Sequence, residues 1–218
     1  MIADNLESIL KELPQGVRLV AVSKYHPLSA LMEAYSFGQK AFGENRPQEF
    51  AAKAMQMPPD TEWHFIGHLQ TNKLKLVLPY ATIVESVDTE HLLEAIEAWG
   101  ERNERCTRIL LEVHIGAEET KQGFTPEEIP TLLQRAADYP HVEFCGLMGM
   151  ASHTDDAEAV DADFGRIKAL FDRCRADFPQ LHSFRELSIG MSDDWQLAIK
   201  NGSTEIRLGT AIFGPREY

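Results

Sequence analysis

Residues 19–27 read LVAVSKYHP, an apolar run that drives into a lysine and stops at a proline. Lysine is depleted at strand centres and costly to bury, so Lys24 either climbs out to water or is held in place for use. By two-residue alternation Val20, Val22 and Lys24 share one face, which sets the lysine on top of a column of small branched residues.

The same pattern recurs along the 218-residue chain. Apolar runs at 17–23, 40–43, 63–66, 82–87, 107–115, 142–147, 185–189 and 204–208 alternate with helical patterns. The latter fall at about 28–38, 45–55, 70–78, 89–103, 126–138, 157–177 and 193–200, with a brief one after 210. Strands separated by helices require right-handed crossovers and a parallel sheet, and eight repeats predict closure into a single α/β (β/α)8 TIM-type barrel. Ahead of it, MIADNLESILKELPQG reads as an extra amphipathic N-terminal helix ending near Pro14–Gly16. No Gly/Ser/Pro-rich linker divides the chain, so the expectation is one domain over 1–218.

Composition narrows the partners. A formal net charge of −13 argues against a nucleic-acid partner, which would call for a basic footprint. No apolar stretch approaches the roughly 20 residues of a membrane span, and the first residues carry acids rather than the basic start and apolar run of a secretion signal. The expectation is a soluble cytoplasmic protein. Cys106, Cys145 and Cys174 are odd in number and lack metal-type spacing, as ordinary reduced thiols would.

In this fold functional groups sit at the C-terminal ends of strands or in the loops just after them. Lys24 is one such residue: a lysine amine becomes a carbonyl nucleophile when burial or a nearby cation disfavours its charge, and otherwise pairs with a carboxylate as a structural group. After the second strand comes FGEN (42–45), where Gly43 frees the turn and Glu44 and Asn45 either point across the mouth or cap the next helix. After the third comes HFIGHLQTNK (64–73). His64 and His68 look like a metal pair, but four strand residues at about 3.3 Å each separate them by roughly 13 Å, too far to chelate one ion. Gly67 and the polar run Gln70, Thr71, Asn72 and Lys73 remain to line a loop at the mouth.

The last two strands lead into LSIGMSDDW (187–195) and RLGTAIFG (207–214). Barrels of this type commonly hold a phosphate between those loops on backbone N–H groups. Gly190, Ser192, Gly209 and Thr210 have the right character, although Ser192 before two aspartates is also a helix cap. In TEIRLGTAIFG, outward Ile206 and Leu208 turn Glu205 and Arg207 inward, and an inward arginine needs an anionic or hydrogen-bonding partner. These parts describe a ligand with a carbonyl, a phosphate and a ring or anionic edge. Pyridoxal 5'-phosphate (PLP) has all three; a phosphorylated sugar has two.

The motifs AVSKYHP, FGENRPQE, WHFIGHLQTNK, ETKQGF, GLMGMAS, LSIGMSDDWQLAI and GSTEIRLGTAIFG, in that order, closely resemble the pyridoxal phosphate homeostasis protein family, the alanine racemase N-terminal-domain-like PLP-binding proteins of fold type III. The resemblance implies that Lys24 forms the internal aldimine, that Ser192, Gly209 and Thr210 bind phosphate, and that Arg207 approaches the pyridine nitrogen. It further places Asn45 and Met148 near the cofactor ring. An arginine there would keep the ring nitrogen unprotonated and weaken the electron sink. Racemases of this fold add a tyrosine base from a second β-domain across a dimer. With the chain closing at Tyr218 after the eighth unit, the expectation is a monomer without that domain. His114 departs from the asparagine of many relatives, and Tyr25 and His26 put bulky polar groups near the rim.

The function implied is intracellular PLP homeostasis: buffering or delivering the cofactor to PLP-dependent apoenzymes, or answering to a regulatory protein, with little or no turnover. A PLP-dependent amino-acid racemase-like enzyme and a PLP-independent Schiff-base aldolase are the alternatives.

Overall fold

In the computed structural model, which describes residues 1–116 and 122–215, each apolar run becomes a strand. Helix α1 (Ile2–Glu12) precedes β1 (Arg18–Val22), α2 (Leu28–Phe37), β2 (Ala41–Glu44), α3 (Pro47–Ala54) and β3 (Glu62–Phe65). A 3₁₀ turn (Thr71–Lys73) then leads to α4 (Leu74–Val77), β4 (Ile83–Val87), α5 (Glu90–Asn103) and β5 (Thr107–His114). The chain continues through α6 (Glu128–Gln134), β6 (Val142–Met150), α7 (Ala157–Asp177), β7 (Glu186–Ser188), α8 (Trp195–Lys200), β8 (Glu205–Leu208) and α9 (Thr210–Phe213). The strands pair in sequence order, and β1 pairs with β8 to close the barrel. All pairings are parallel, with Val20 opposite Arg207 across the closing seam.

Alternation sorts the side chains as the sequence implies. Leu19, Ala21, Phe42, Trp63, Phe65, Ile206 and Leu208 join the core between strands and helices. Ile83, Leu110, Cys145 and Met148 form a separate buried cluster from strands β4, β5 and β6. The interior also holds a polar set: His64, Glu85, Ser188, Glu205 and Arg207 are all buried.

Three elements differ from the periodic reading. β6 runs on to Met150, because the β5–β6 register shifts between Ile109 and Leu110 and lets the strand continue. Gly146 makes the close approach there possible, since a Cβ at that position would lie 1.7 Å from the Glu186 carbonyl oxygen. The helical patterns at 70–78 and 126–138 are each split between a short α-helix and a 3₁₀ turn. The three cysteines are free thiols, Cys106 exposed and the other two buried. Among the described residues no helix is long and apolar enough to cross a membrane. Lys121, residues 119–121 of the ETKQGF motif, and Tyr218 lie outside the described residues.

Candidate functional site

The turn that carries Lys24 is held from behind. β1 ends at Val22, and fully buried Ser23 donates its N–H to the Gly43 carbonyl at 3.0 Å. Lys53 on α3 donates to the Ser23 carbonyl at 2.8 Å, to Glu44 Oε1 at 2.6 Å and to Glu49 Oε1 at 2.7 Å. Glu49 also accepts the Tyr25 N–H at 2.9 Å, and Tyr25 adopts a left-handed φ of 68°. A non-glycine residue in that region costs energy, which these bonds offset. Lys24 itself is half-buried at the strand end.

Glu44 takes neither of the roles the sequence suggests. It turns away from the mouth, accepts from Ser23 Oγ at 2.7 Å and is fully buried against Lys53. Burial pushes its carboxyl above the usual range, against the pull of the Lys53 charge. Asn45 lies at the end of β2, and its Oδ1 is buried with no hydrogen-bond partner among the described residues. Gly67 crosses it closely: a Cβ there would lie 2.2 Å from the Asn45 carbonyl oxygen. Gly43 meets Val20, Val22 and Ile66, so the interior beneath the mouth narrows at this side.

Arg207 is 4 % exposed and finds the partners an inward arginine requires. Its Nη1 donates to Ser188 O at 2.8 Å and Ser188 Oγ at 2.6 Å, and its Nη2 donates to Gly149 O at 3.0 Å. Ser188 in turn donates to Glu85 Oε2 at 2.6 Å, and Glu85 Oε1 lies 2.6 Å from His64 Nδ1. Burial drives the Glu85 carboxyl up, but the bond from His64 and the neighbouring positive charges outweigh it and bring it down to about 2. Burial likewise pulls His64 down, while the charge of Glu205 3.6 Å away and the bond to Glu85 lift it to about 10. Met148, opposite Ser188 in register, packs with Ile83, Leu110 and Cys145 in the interior layer.

The loops after β7 and β8 complete the mouth. Gly190 has a φ of 100°, a conformation side chains rarely adopt, and a Cβ there would meet Ala198 Cβ at 2.6 Å. Asp194, not Ser192, occupies the cap position of α8, and its Oδ1 accepts the Met191 N–H at 2.6 Å. The helix-cap alternative for Ser192 therefore does not hold. Gly209 precedes α9, and a Cβ on it would press within 3.2 Å of the Val22 carbonyl oxygen. This brings Gly209 and exposed Thr210 against the end of β1, beside the turn that carries Lys24.

His64 and His68 take separate partners: His64 is buried against Glu85, while His68 Nδ1 lies 2.9 Å from Asp88 Oδ2 at the rim. His26 stacks on Phe213 with ring centroids 4.9 Å apart, and Arg46 lies over the Tyr25 ring at 4.5 Å. A cavity of about 700 Å³ opens over the ends of β5 and β6 and the loop after β7. It is lined by Glu112, His114, Met150 and Asp194, and by Met191 and Asp193 on either side of Ser192. None of Lys24, Asn45, Met148, Ser192, Arg207, Gly209 and Thr210 lines it. Burial and then the charge of Asp88 raise the Glu112 carboxyl to about 7.

Sequence reasoning passed over Glu85, Ser188 and Lys53. Their signal is a polar residue on an otherwise apolar strand or packing face, as in IVESV (83–87), and it names no partner.

A lysine at the mouth end of β1, an inward arginine on β8 and small-residue loops after β7 and β8 define a ligand-binding (β/α)8 barrel with its site at the C-terminal mouth. The chain belongs to the alanine racemase N-terminal domain family, whose model matches residues 1–217. It is 37% identical over 224 residues to the pyridoxal phosphate homeostasis protein of Haemophilus influenzae, covering 100% of this chain and 94% of that one. Among solved structures, PipY of Synechococcus elongatus without PLP is similar at a TM-score of 0.93 and 36% identity, covering 98% of this chain and 100% of that one. PipY with PLP bound is similar at a TM-score of 0.89 and 35% identity, with the same coverage.

Proposed function

We propose that this protein binds PLP at the barrel mouth and acts in PLP homeostasis, buffering or delivering the cofactor and so affecting amino-acid and keto-acid balance. The carrying observation is that β1 and β8 lie side by side, with Val20 opposite Arg207, while Gly209 packs on Val22 beside Lys24. One seam of the barrel thus offers an amine, an anchored guanidinium and a glycine–threonine pair at the start of α9. PLP supplies an aldehyde for imine chemistry and a ring that stabilises a carbanion.

The residues present fit that group. Lys24 holds it as a Schiff base; Ser192, Gly209 and Thr210 donate to its phosphate; Arg207 faces the ring nitrogen. Asn45, whose Oδ1 has no hydrogen-bond partner among the described residues, would lie by the ring edge, and Met148 in the layer beneath. An arginine at the ring nitrogen disfavours its protonation, which supports binding with little or no turnover. The protein works as one cytoplasmic domain over 1–218 and as a monomer, with PLP-dependent apoenzymes or a regulatory protein as partners.

The test is the absorption spectrum of the PLP-loaded protein before and after borohydride, followed by mapping of the modified lysine. A visible band and a stable adduct on Lys24, both lost in Lys24→Ala, are expected. An adduct on Lys73 or Lys121 instead would overturn the assignment.

One observation favours the racemase-like alternative: Asp88 orients His68 at the rim, as a carboxylate orients an imidazole for proton transfer. Solvent deuterium exchange into alanine or serine at about 1 s⁻¹ or faster, lost in both Lys24→Ala and His68→Gln, would promote that reading.

A further inference from the structure

Behind Arg207 the barrel interior carries a chain of charged side chains that the proposed function does not use as ligands. Arg18 lies 3.7 Å from Glu205 Oε2, and Glu205 Oε1 lies 3.6 Å from His64 Nδ1. His64 meets Glu85 at 2.6 Å, and Ser188 joins Glu85 to Arg207 through two bonds of 2.6 Å. Barrels of this type usually fill this space with branched aliphatic side chains. Burying ions instead costs several kcal/mol each unless they are paired and hydrogen-bonded, so the chain stands or falls as a unit.

A metal ion is one candidate occupant, since His64, Glu85 and Glu205 offer ligand atoms within 4.8 Å of one another. The separation of His64 Nδ1 from Glu85 Oε1 decides against it. At 2.6 Å it is a hydrogen-bond length. Two ligands bound tetrahedrally to zinc at about 2.0–2.1 Å would stand roughly 3.3 Å apart. A proton fills the gap, and the group that carries it is His64.

Among the described residues Arg207 makes three hydrogen bonds. Its three bonds to Ser188 O, Ser188 Oγ and Gly149 O engage three of its five N–H donors, leaving Nε and one Nη2 hydrogen. We propose that Ser188 and Glu85, with His64 behind them, form a positioning relay that aims this remaining edge of Arg207 at the ring nitrogen of the cofactor. The proposal rests on the reading above, in which Arg207 faces that nitrogen. Ser188 and Glu85 orient the guanidinium, and His64 keeps Glu85 an anion. The charged groups around the relay are Glu85 on β4, Glu112 on β5, Asp194 at the start of α8, Glu205 and Arg207 on β8, and Arg18 on β1 beyond Glu205. Glu205 is itself pushed above the usual carboxylate range by burial and then by the Glu85 charge, while His64 and Arg207 both lie against Glu85, at 2.6 and 3.7 Å.

The experiment loads wild type, Ser188→Ala, Ser188→Thr and Glu85→Gln with PLP carrying ¹⁵N in its ring and follows the ¹⁵N shift and thermal midpoint from pH 6 to 9. In wild type and Ser188→Thr the ring-nitrogen shift is expected to stay constant across this range. In Ser188→Ala and Glu85→Gln it is expected to move with pH as the nitrogen becomes open to protonation. A wild-type shift retained in Ser188→Ala, with only the midpoint lowered, would overturn the relay while leaving the cofactor reading intact. Should Glu85→Gln not fold, Ser188→Ala decides alone. Absence of bound PLP in wild type would overturn the cofactor reading and the relay with it.

Discussion

Lys53 Nζ lies 2.8 Å from the Ser23 carbonyl oxygen, so a buried lysine on α3 grips the residue immediately before Lys24. The same ammonium binds Glu44 and Glu49, and Glu49 holds the N–H of the residue immediately after Lys24. One cation therefore fixes both sides of the turn from which Lys24 projects. Two lysines of opposite use lie near each other: Lys53 is spent on structure, and Lys24 is presented at the mouth.

Lys53→Met leaves the Glu44 carboxylate buried without its partner. Breaking a buried pair in this way costs about 3–5 kcal/mol, which for a chain of this size lowers the thermal midpoint by about 10 °C. Adding Glu44→Leu to Lys53→Met should recover part of that loss. Calorimetry of the two variants measures it, and equal midpoints would show that the stranded charge is not the cause.

Gly67→Ala puts a Cβ 2.2 Å from the backbone of Asn45, and backbone cannot swing aside as a flexible side chain does. Overpacking of this kind costs about 1–3 kcal/mol. The thermal midpoint should fall by several degrees, and PLP retention should fall with it because Asn45 moves. Dialysis of the loaded variant against buffer measures the second effect; retention at the wild-type level would separate Asn45 from the site.

Ser192→Ala should do the reverse, leaving stability near wild type and weakening PLP retention roughly ten- to a hundred-fold. Asp194 holds the cap position of α8, so no helix start depends on the Ser192 hydroxyl. A donor to a charged phosphate contributes about 1.5–3 kcal/mol. The dissociation rate of PLP, followed by transfer to an apoenzyme trap, reads this directly. A lowered midpoint with unchanged retention would return Ser192 to a structural role.

Glu112 makes stability depend on pH with a definite sign. Its folded carboxyl keeps its proton up to about 7, raised first by burial and then by Asp88. The unfolded chain releases that proton near the ordinary value of 4.5. Between these two pH values the unfolded state binds fewer protons, so stability falls as pH rises and levels off above 7. The loss is on the order of 3 kcal/mol. Urea titrations at pH 4.5 and 7 should show a steeper decline for wild type than for Glu112→Gln; parallel declines would place the effect elsewhere.

The eight apolar runs marked the eight strands to within a few residues, and alternation alone turned Ile206 and Leu208 outward and Glu205 and Arg207 inward. These properties are legible because the two-residue strand period and the 3.6-residue helix period are local and written in adjacent residues. Lys24 stood out for the same reason, as a charged residue ending an apolar run. The need of Arg207 for a partner was also legible, because burying a charge carries a cost that does not depend on the fold.

Which partner it would find was not. Ser188 and Glu85 are separated by 103 positions in the chain, and Lys53 and Ser23 by 30. Gly43, Gly67 and Gly209 are conspicuous as small residues, yet the contacts that require them come from Val20, Asn45 and Val22 on neighbouring strands and loops. His64 looked like half of a metal pair with His68 and became instead the proton-holding neighbour of Glu85, while Glu44 turned from the mouth to Lys53. Sequence by itself determined which way the side chains within the strands face, since that follows from local periodicity. Tertiary structure decided what each one meets, since that depends on strand register and on β1 closing against β8, where residues far apart in the chain come within bonding distance.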